Sequence, residues 1–295
     1  MEYRIRHETR YTYERPVGSS YQSLHLTPRQ FTRQSVASAS VSVTPEPLTL
    51  ESRTDFFGNP VTDLFIRDPH EELVILAESS VVVLANEEVL LDLSPAWEQA
   101  AELAANASSI EAREAARYRF PSPQISLNGT ADYIASLLTP GKPLLRLAME
   151  LTEKIYTEFD YEGGVTDVYT PVPQILESRA GVCQDFAHLG IACLRACGLA
   201  ARYVSGYLLT QPPEGKPRLT GADASHAWFS TWCPEFGWVD FDPTNNIQAQ
   251  TEHITLGWGR DYSDVSPTRG FIRGGGSQTL DVAVDVIPVG VMATI

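Results

Sequence analysis

Apolar and polar positions alternate through the first 84 residues. Tyr3, Ile5 and His7 take turns with Arg4, Arg6 and Glu8, and Tyr11-Thr12-Tyr13 continues the same strand-favouring composition. Breaks fall at Pro16-Val17-Gly18, Pro45-Glu46-Pro47 and Gly58-Asn59-Pro60. Between them lie the alternating run Val36 to Val43 and the run Asn59 to Ile66, followed by the longer, more apolar Leu73 to Leu84. Short strands at this spacing predict an antiparallel sheet or sandwich. No chemical motif is visible in this half, which reads as scaffold or partner surface.

The period changes near Leu91-Asp92-Leu93-Ser94-Pro95. Ala96 to Arg119 is rich in Ala and Glu and predicts a helix, with Ser94 as its cap and Pro121 and Pro123 as its stop. Thr130 to Leu138 predicts a short helix ended by Pro140-Gly141. Apolar residues at 144, 147, 148, 151 and 155 predict a helix over Leu144 to Phe159. After the turn at Gly163-Gly164 the pattern predicts a helix over Cys183 to Cys197. Strands are predicted over Ala201 to Leu209, Ala227 to Trp232 and Trp238 to Asp242, and a strand-like tail, Leu280 to Val291, follows Gly274-Gly275-Gly276. The pattern predicts an α+β protein. Residues 1–90 form a β-rich domain, and residues 91–295 form a helical connection and a core whose motifs fall within 160–246.

Charge and cysteine content narrow the function classes. With 22 basic and 37 acidic residues the 295-residue chain carries a net charge of −15. Such a chain suits neither phosphate backbones nor anionic membranes, so no nucleic-acid or membrane partner is expected. No window approaches eighteen apolar residues, and the polar start MEYRIRHETRYTYERP lacks a secretory core, so a cytoplasmic location is expected. Four cysteines, Cys183, Cys193, Cys197 and Cys233, are too few for a disulfide scaffold and are expected as thiols.

The chemistry concentrates in three places. In Arg179-Ala180-Gly181-Val182-Cys183-Gln184-Asp185, Gly181 permits a tight turn and a helix begins just after it. Cys183 then lies on the first turn, where the helix dipole favours a thiolate. Cys193 and Cys197 lie deeper among apolar neighbours and read as core thiols. Downstream, Ser225-His226-Ala227-Trp228 opens one strand and Gly237-Trp238-Val239-Asp240-Phe241-Asp242 closes the next, with a turn at Pro234 to Gly237 between them. The hairpin brings His226 and Asp242 side by side. Asp242 would accept the imidazole Nδ1–H, leaving Nε2 to take the Cys183 proton.

The motifs GVCQDFAHL, GLAARYVSGYL, SHAWF and GWVDFDPTNN, in this order, resemble the transglutaminase-like superfamily. The resemblance is to its bacterial branch with a β-rich N-terminal domain, and GRDYSDVSPTRG resembles the segment that follows the core there. It implies a papain-like fold, a Cys-bearing helix packed on an antiparallel sheet bearing His and Asp. It also implies Cys183 as nucleophile, His226 as base and Asp242 as orienting acid. Asp240 departs from the family, whose residue there is usually small, and Asp242 is preferred because Pro-Thr-Asn follows it.

Around this triad, Gln184 and Trp228 are candidate substrate contacts, Trp228 alternatively being core or an aromatic wall over the imidazole. Tyr169 is a further candidate, because its region borders the cleft in the superfamily. His188, five residues past Cys183, does not share its face and reads as a buried, hydrogen-bonded histidine. A zinc site from Cys183, His188, Cys193 and Cys197 fails because only 193 and 197 share a face. No metal and no cofactor are expected. The expected reaction is acyl transfer on an amide through a thioester, with the Cys183 N–H as one oxyanion donor and a peptide or protein amide as substrate. Hydrolysis is preferred to transfer onto an amine, and a non-catalytic binding or assembly module is the alternative from another class. The oligomeric state is not readable from the sequence.

Overall fold

The first stretch of alternation folds as one long strand. In the computed structural model, which describes residues 1–85, 90–210 and 224–290, β1 (Glu2–Leu24) runs straight through the expected break at Pro16-Val17-Gly18. It is followed by β2 (Gln34–Thr44), β3 (Thr49–Thr54), β4 (Pro60–Ile66) and β5 (His70–Val83). Then come α1 (Trp97–Asn106), α2 (Ile110–Ala116), α3 (Thr130–Ile134), α4 (Leu144–Glu158), β6 (Asp160–Tyr161), α5 (Val172–Ser178), β7 (Ala180–Gly181) and α6 (Cys183–Ala196). The chain continues through β8 (Ala201–Leu208), β9 (Ala224–Cys233), β10 (Gly237–Asp242), β11 (Ile247–Gln248), β12 (His253–Gly259), α7 (Tyr262–Val265), β13 (Thr268–Gly274) and β14 (Gln278–Val289). No helix of the described residues is long and apolar enough to cross a membrane.

Pro16 is tolerated in β1 because the strand changes partners there. Residues 2–12 pair with β5 and residues 2–13 with β14, whereas residues 19–24 pair with β13 and 20–24 with β4. The register shifts between Thr12 and Val17, so the missing Pro16 N–H falls at an irregularity. The result is a seven-stranded sheet, β2-β5-β1-β4-β3 with β13 and β14 also on β1.

This pairing corrects the expected boundary. Residues 268–289 belong to the N-terminal sheet, not to the core of residues 91–295. A second apolar alternation, with Val284 and Val286 buried against Tyr3 and Ile5, needed a sheet edge, and β1 supplied one. Gly274, Gly275 and Gly276 all have positive φ (97°, 92° and 69°) and turn the chain between β13 and β14, a conformation that L side chains disfavour. The predicted helix over 96–119 is two helices. Ala107 is left-handed (φ 47°), and the Ser109 hydroxyl accepts the Ala112 N–H at 3.0 Å to start α2 afresh. The strand tail is described to β14 only, and Val291 lies outside the described residues.

The second sheet is antiparallel, in the order β11-β10-β9-β8-β12. Against it packs α6, buried from Gln184 to Arg195 on all its faces rather than along one stripe, with α3, α4 and α5 on its other side. The approach to β9 is close: a Cβ on Gly190 would stand 2.6 Å from the Phe229 ring. Helix and sheet thus form one block, with the start of α6 fixed relative to β9 and β10.

Candidate active site

Cys183 opens α6. Val182 precedes the helix in extended conformation, and the Asp185 carboxylate reaches back to accept the Val182 N–H at 2.8 Å and the Thr166 hydroxyl at 2.7 Å. Burial raises the Asp185 pKa, and those two donors work against the shift. Gly181 is needed for this cap: a Cβ there would lie 2.7 Å from Asp185 Oδ2. Its φ is not in the left-handed region, so close approach rather than turn geometry explains it. The Cys183 thiol is left half-buried, and all four cysteines are free.

His226 enters from β9 and Asp242 from the end of β10, where the register sets Phe241 opposite Phe229. The imidazole Nε2 lies 2.8 Å from Asp242 Oδ2. This reverses the expected assignment of ring nitrogens. The carboxylate is fixed under the far edge of the ring by the N–H groups of Thr244 (2.9 Å) and Asn245 (3.3 Å), both donating to Oδ1. Nδ1 is then the nitrogen left for Cys183, which lines the same cleft and acts on the ring electrostatically. Burial by itself pulls the His226 pKa down, but the Asp242 hydrogen bond and the negative charges of Asp242 and Cys183 outweigh it and raise it to about 10.

Asp242 is completely buried and accepts five hydrogen bonds. Besides His226 and the two backbone groups, Oδ2 accepts from Asn245 Nδ2 at 2.7 Å and from His253 Nε2 at 3.0 Å. Burial favours the neutral acid, yet these donors and the His226 charge hold the Asp242 pKa well below the usual carboxylate range. His253, on β12, is a member of the site that the sequence reading missed. Nothing in Thr251-Glu252-His253-Ile254 marks it, and it comes to the site only because β12 pairs with β8, which in turn pairs with β9.

His226, Asp242 and His253 present three ligand-type atoms within 4.8 Å of one another, the spacing of a metal site. The donor set argues against one. Gln250 N–H donates to His253 Nδ1 at 3.2 Å, so Nε2 keeps the proton it gives to Asp242 and has no lone pair for a cation.

Cys183 and His226 open into a cleft of about 300 Å³. One wall is catalytic core, with Gln184, Tyr203 and Tyr262. The other belongs to the N-terminal sheet, with His7, Thr9 and Tyr11 of β1 and Leu280 and Val282 of β14. The first half of the chain is therefore part of the cleft as well as scaffold. His7 is buried between the Tyr207 hydroxyl (2.9 Å) and the Thr9 hydroxyl (2.9 Å), and burial lowers its pKa to about 4. Tyr203 is buried beside Cys183, and burial, reinforced by the Cys183 charge, raises its phenol pKa well above the ordinary value, so it stays a proton donor.

The expected substrate contacts separate. Gln184 lines the cleft while its amide donates to the Val168 carbonyl at 3.2 Å. Trp228 does not line it: it is fully buried, with its ring 5.1 Å from that of His253 and 6.1 Å from that of His226. It shares the His226 face of β9 but lies further along the strand, buried under the imidazoles rather than on the cleft surface. Tyr169, 78% exposed, lines an adjoining groove with Tyr11, Tyr262 and Phe271 rather than the cleft itself. His188 is buried and accepts the Tyr262 N–H at 3.1 Å, and burial lowers its pKa to about 4.

Residues 131–243 match the model of the transglutaminase-like superfamily, and residues 3–82 match that of the bacterial transglutaminase-like N-terminal region. An uncharacterized protein of Mycobacterium tuberculosis is 40% identical over 97% of this chain and 92% of its own length. A protein-glutamine gamma-glutamyltransferase of Pseudomonas aeruginosa is 37% identical over 84 residues, 28% of this chain and 12% of that protein. Among solved structures, a protein from Cytophaga hutchinsonii provisionally described as a cysteine protease superposes with a TM-score of 0.77 at 20% identity, over 99% of this chain and 92% of that one. That likeness is one of fold.

Proposed function

Since this chain belongs to the transglutaminase-like superfamily, we propose that it is a thiol-dependent acyltransferase that cleaves amide bonds through Cys183, His226 and Asp242. The observation that carries the reading is the imidazole held between the Cys183 sulfur and an Asp242 carboxylate satisfied by five donors. Such a carboxylate cannot turn away, so the ring keeps its Nδ1 edge toward the sulfur. The sulfur attacks the amide carbonyl, and His226 gives its proton to the departing nitrogen as the C–N bond breaks. The same ring then takes a proton from water, whose oxygen attacks the thioester carbonyl and releases the acid and the free thiol.

The carbonyl oxygen becomes negative in both steps. The Cys183 N–H at the start of α6 is one donor to it, and the Tyr203 hydroxyl is the candidate for the second. Tyr203→Phe, which removes one oxygen, is expected to lower kcat about tenfold to a hundredfold with little change in KM. A fall in KM-dependent binding with kcat intact would reject that role.

Water is the acceptor in the favoured reaction. The gamma-glutamyltransferase relative favours an amine as the second reading. Incubation of a glutamine peptide with a primary amine, read by mass spectrometry, separates the two. Free acid in excess supports hydrolysis, and amide-linked product in excess supports transfer.

The triad itself is tested by iodoacetamide labelling with peptide mapping. Burial holds the Cys193 and Cys233 pKa values up and raises Cys197 to about 11, so those thiols label slowly. Cys183 is expected to label at least about tenfold faster at neutral pH and to lose that advantage in His226→Ala. Equal labelling of Cys183 in both proteins would sink the reading.

A further inference from the structure

A second cavity, of about 700 Å³, lies away from Cys183 against the same five-stranded sheet. Its lining carries four arginines, Arg29, Arg33, Arg117 and Arg202, against two carboxylates, Glu114 and Asp240. In a chain of net charge −15 this is a local excess of positive charge. Arg202 is its base. The guanidinium lies between two indoles, 3.8 Å from the Trp258 ring centre and 4.2 Å from that of Trp238, and Arg29 covers Trp258 at 3.7 Å. With both faces stacked, only its hydrogen-bonding edge can meet a ligand.

The Nε of that edge is unsatisfied. Arg202, Ser230 and Asp240 are cross-strand neighbours on β8, β9 and β10. All three are buried, and Arg202 Nε, Ser230 Oγ and Asp240 Oδ1 have no hydrogen-bond partner among the described residues. The charges of Arg202 and Asp240 act on each other without a hydrogen bond between them. Burial lowers the Arg202 pKa to about 10, which leaves it charged at neutral pH. Three adjacent buried polar groups without partners are rare in a folded protein and cost stability until something fills them.

We infer that this cavity binds a carboxylate with an adjacent N–H donor, as in an N-acylated amino acid or the C-terminus of a peptide. The carboxylate meets the edge of Arg202 with Arg117 and Arg33 at the rim, the N–H meets Asp240 Oδ1, and the aromatic walls cover the apolar part. Asp240, the position at which this chain departs from the family's usual small residue, has its place here. The inference does not rest on the proposed reaction, since neither Cys183 nor His226 lines this cavity.

Calorimetric titration of the Cys183→Ala chain, which excludes turnover, tests it with four probes: acetyl-phenylalanine, acetyl-glycyl-phenylalanine, its C-terminal amide, and inorganic phosphate. At least one free acid is expected to bind saturably, at least about tenfold more tightly than the amide or phosphate. Arg117→Ala at the exposed rim should weaken it several-fold while thermal stability holds, and Arg202→Gln should weaken it further. Tighter binding of the dipeptide than of acetyl-phenylalanine identifies a peptide terminus as the ligand, and equal binding identifies a small acid. Equal affinity for acid and amide, phosphate binding as tightly as the acids, no binding, or binding untouched by Arg117→Ala would each overturn the inference.

Discussion

His226→Ala is expected to lower kcat/KM for amide cleavage by about a thousandfold, without unfolding the protein. Two contributions combine in that figure. General acid–base catalysis by a positioned imidazole is worth about a hundredfold to ten-thousandfold, and the loss of one member of a unit removes most of what the unit does. Alanine also leaves Asp242 without one of its five donors, but Asn245, His253, Thr244 and the Asn245 N–H remain. Circular dichroism should therefore stay native while turnover collapses. The His226 pKa, raised to about 10, sets the pH window. A group whose folded pKa lies above its unfolded value stabilises the fold fully below the unfolded value, near 6.5, and that contribution fades as pH rises through the folded one. Wild-type stability should accordingly fall between about pH 7 and 10 by more than that of His226→Ala. Identical pH dependence in the two proteins, or activity in His226→Ala within tenfold of wild type, would reject the pairing of His226 with Asp242 and Cys183.

Much of the site was legible because its pieces are local. Cys183 is positioned by its own helix start, with Gly181, Val182 and Asp185 within three residues, so composition and turn chemistry expose it. His226 and Asp242 are joined by one hairpin, whose turn and strand lengths fix their meeting. His253 and the cleft wall are different. Each reaches the site through pairing between distant strands, β12 on β8 and β14 on β1. Alternation announces a strand and which face is apolar, but not the edge it will join. The same limit explains the tail. Leu280 to Val291 was readable as strand-like, yet its place beside β1 depended on which edge of the sheet lay open.

The direction of the His226 ring was also beyond the sequence. Either nitrogen can meet an acid in a hairpin. What decides is where the carboxylate is pinned, and that depends on Thr244 and Asn245 turning back onto Asp242. Trp228 shows the complementary case. Its neighbour His226 suggested a substrate contact, but residues two apart on a strand share a face, and that face continues from the imidazole into the sheet interior.

Arg195→Met should cost the largest stability of any single change considered, about 3–5 kcal/mol. Arg195 lies at the last turn of α6, is 2% exposed, and donates to the carbonyls of Tyr118 (2.9 Å), Phe120 (3.0 Å), Ala201 (2.9 Å) and Arg260 (2.7 Å) and to the Ser122 hydroxyl (3.2 Å). Those acceptors come from the segment after α2, the start of β8 and the end of β12, so one guanidinium ties three parts of the core to the catalytic helix. Methionine keeps much of the volume but strands buried carbonyl oxygens, each worth about 1–3 kcal/mol when unsatisfied. The Tyr118 oxygen is partly spared, since it also accepts the Ala201 N–H at 3.1 Å. Removing a buried charge returns some of its desolvation penalty, which keeps the total below the sum of the lost bonds. In a chain of this size the loss corresponds to a fall in Tm of roughly 10 °C. Arg195→Lys, retaining charge but not the planar fork, should fall between the two. Because the start of α6 is held separately by Asp185, the protein that remains folded at low temperature should keep its Cys183 labelling rate. A fall in Tm under 3 °C for Arg195→Met would show that water replaces the guanidinium at these carbonyls, and that the C-terminal end of α6 is held by its apolar contacts.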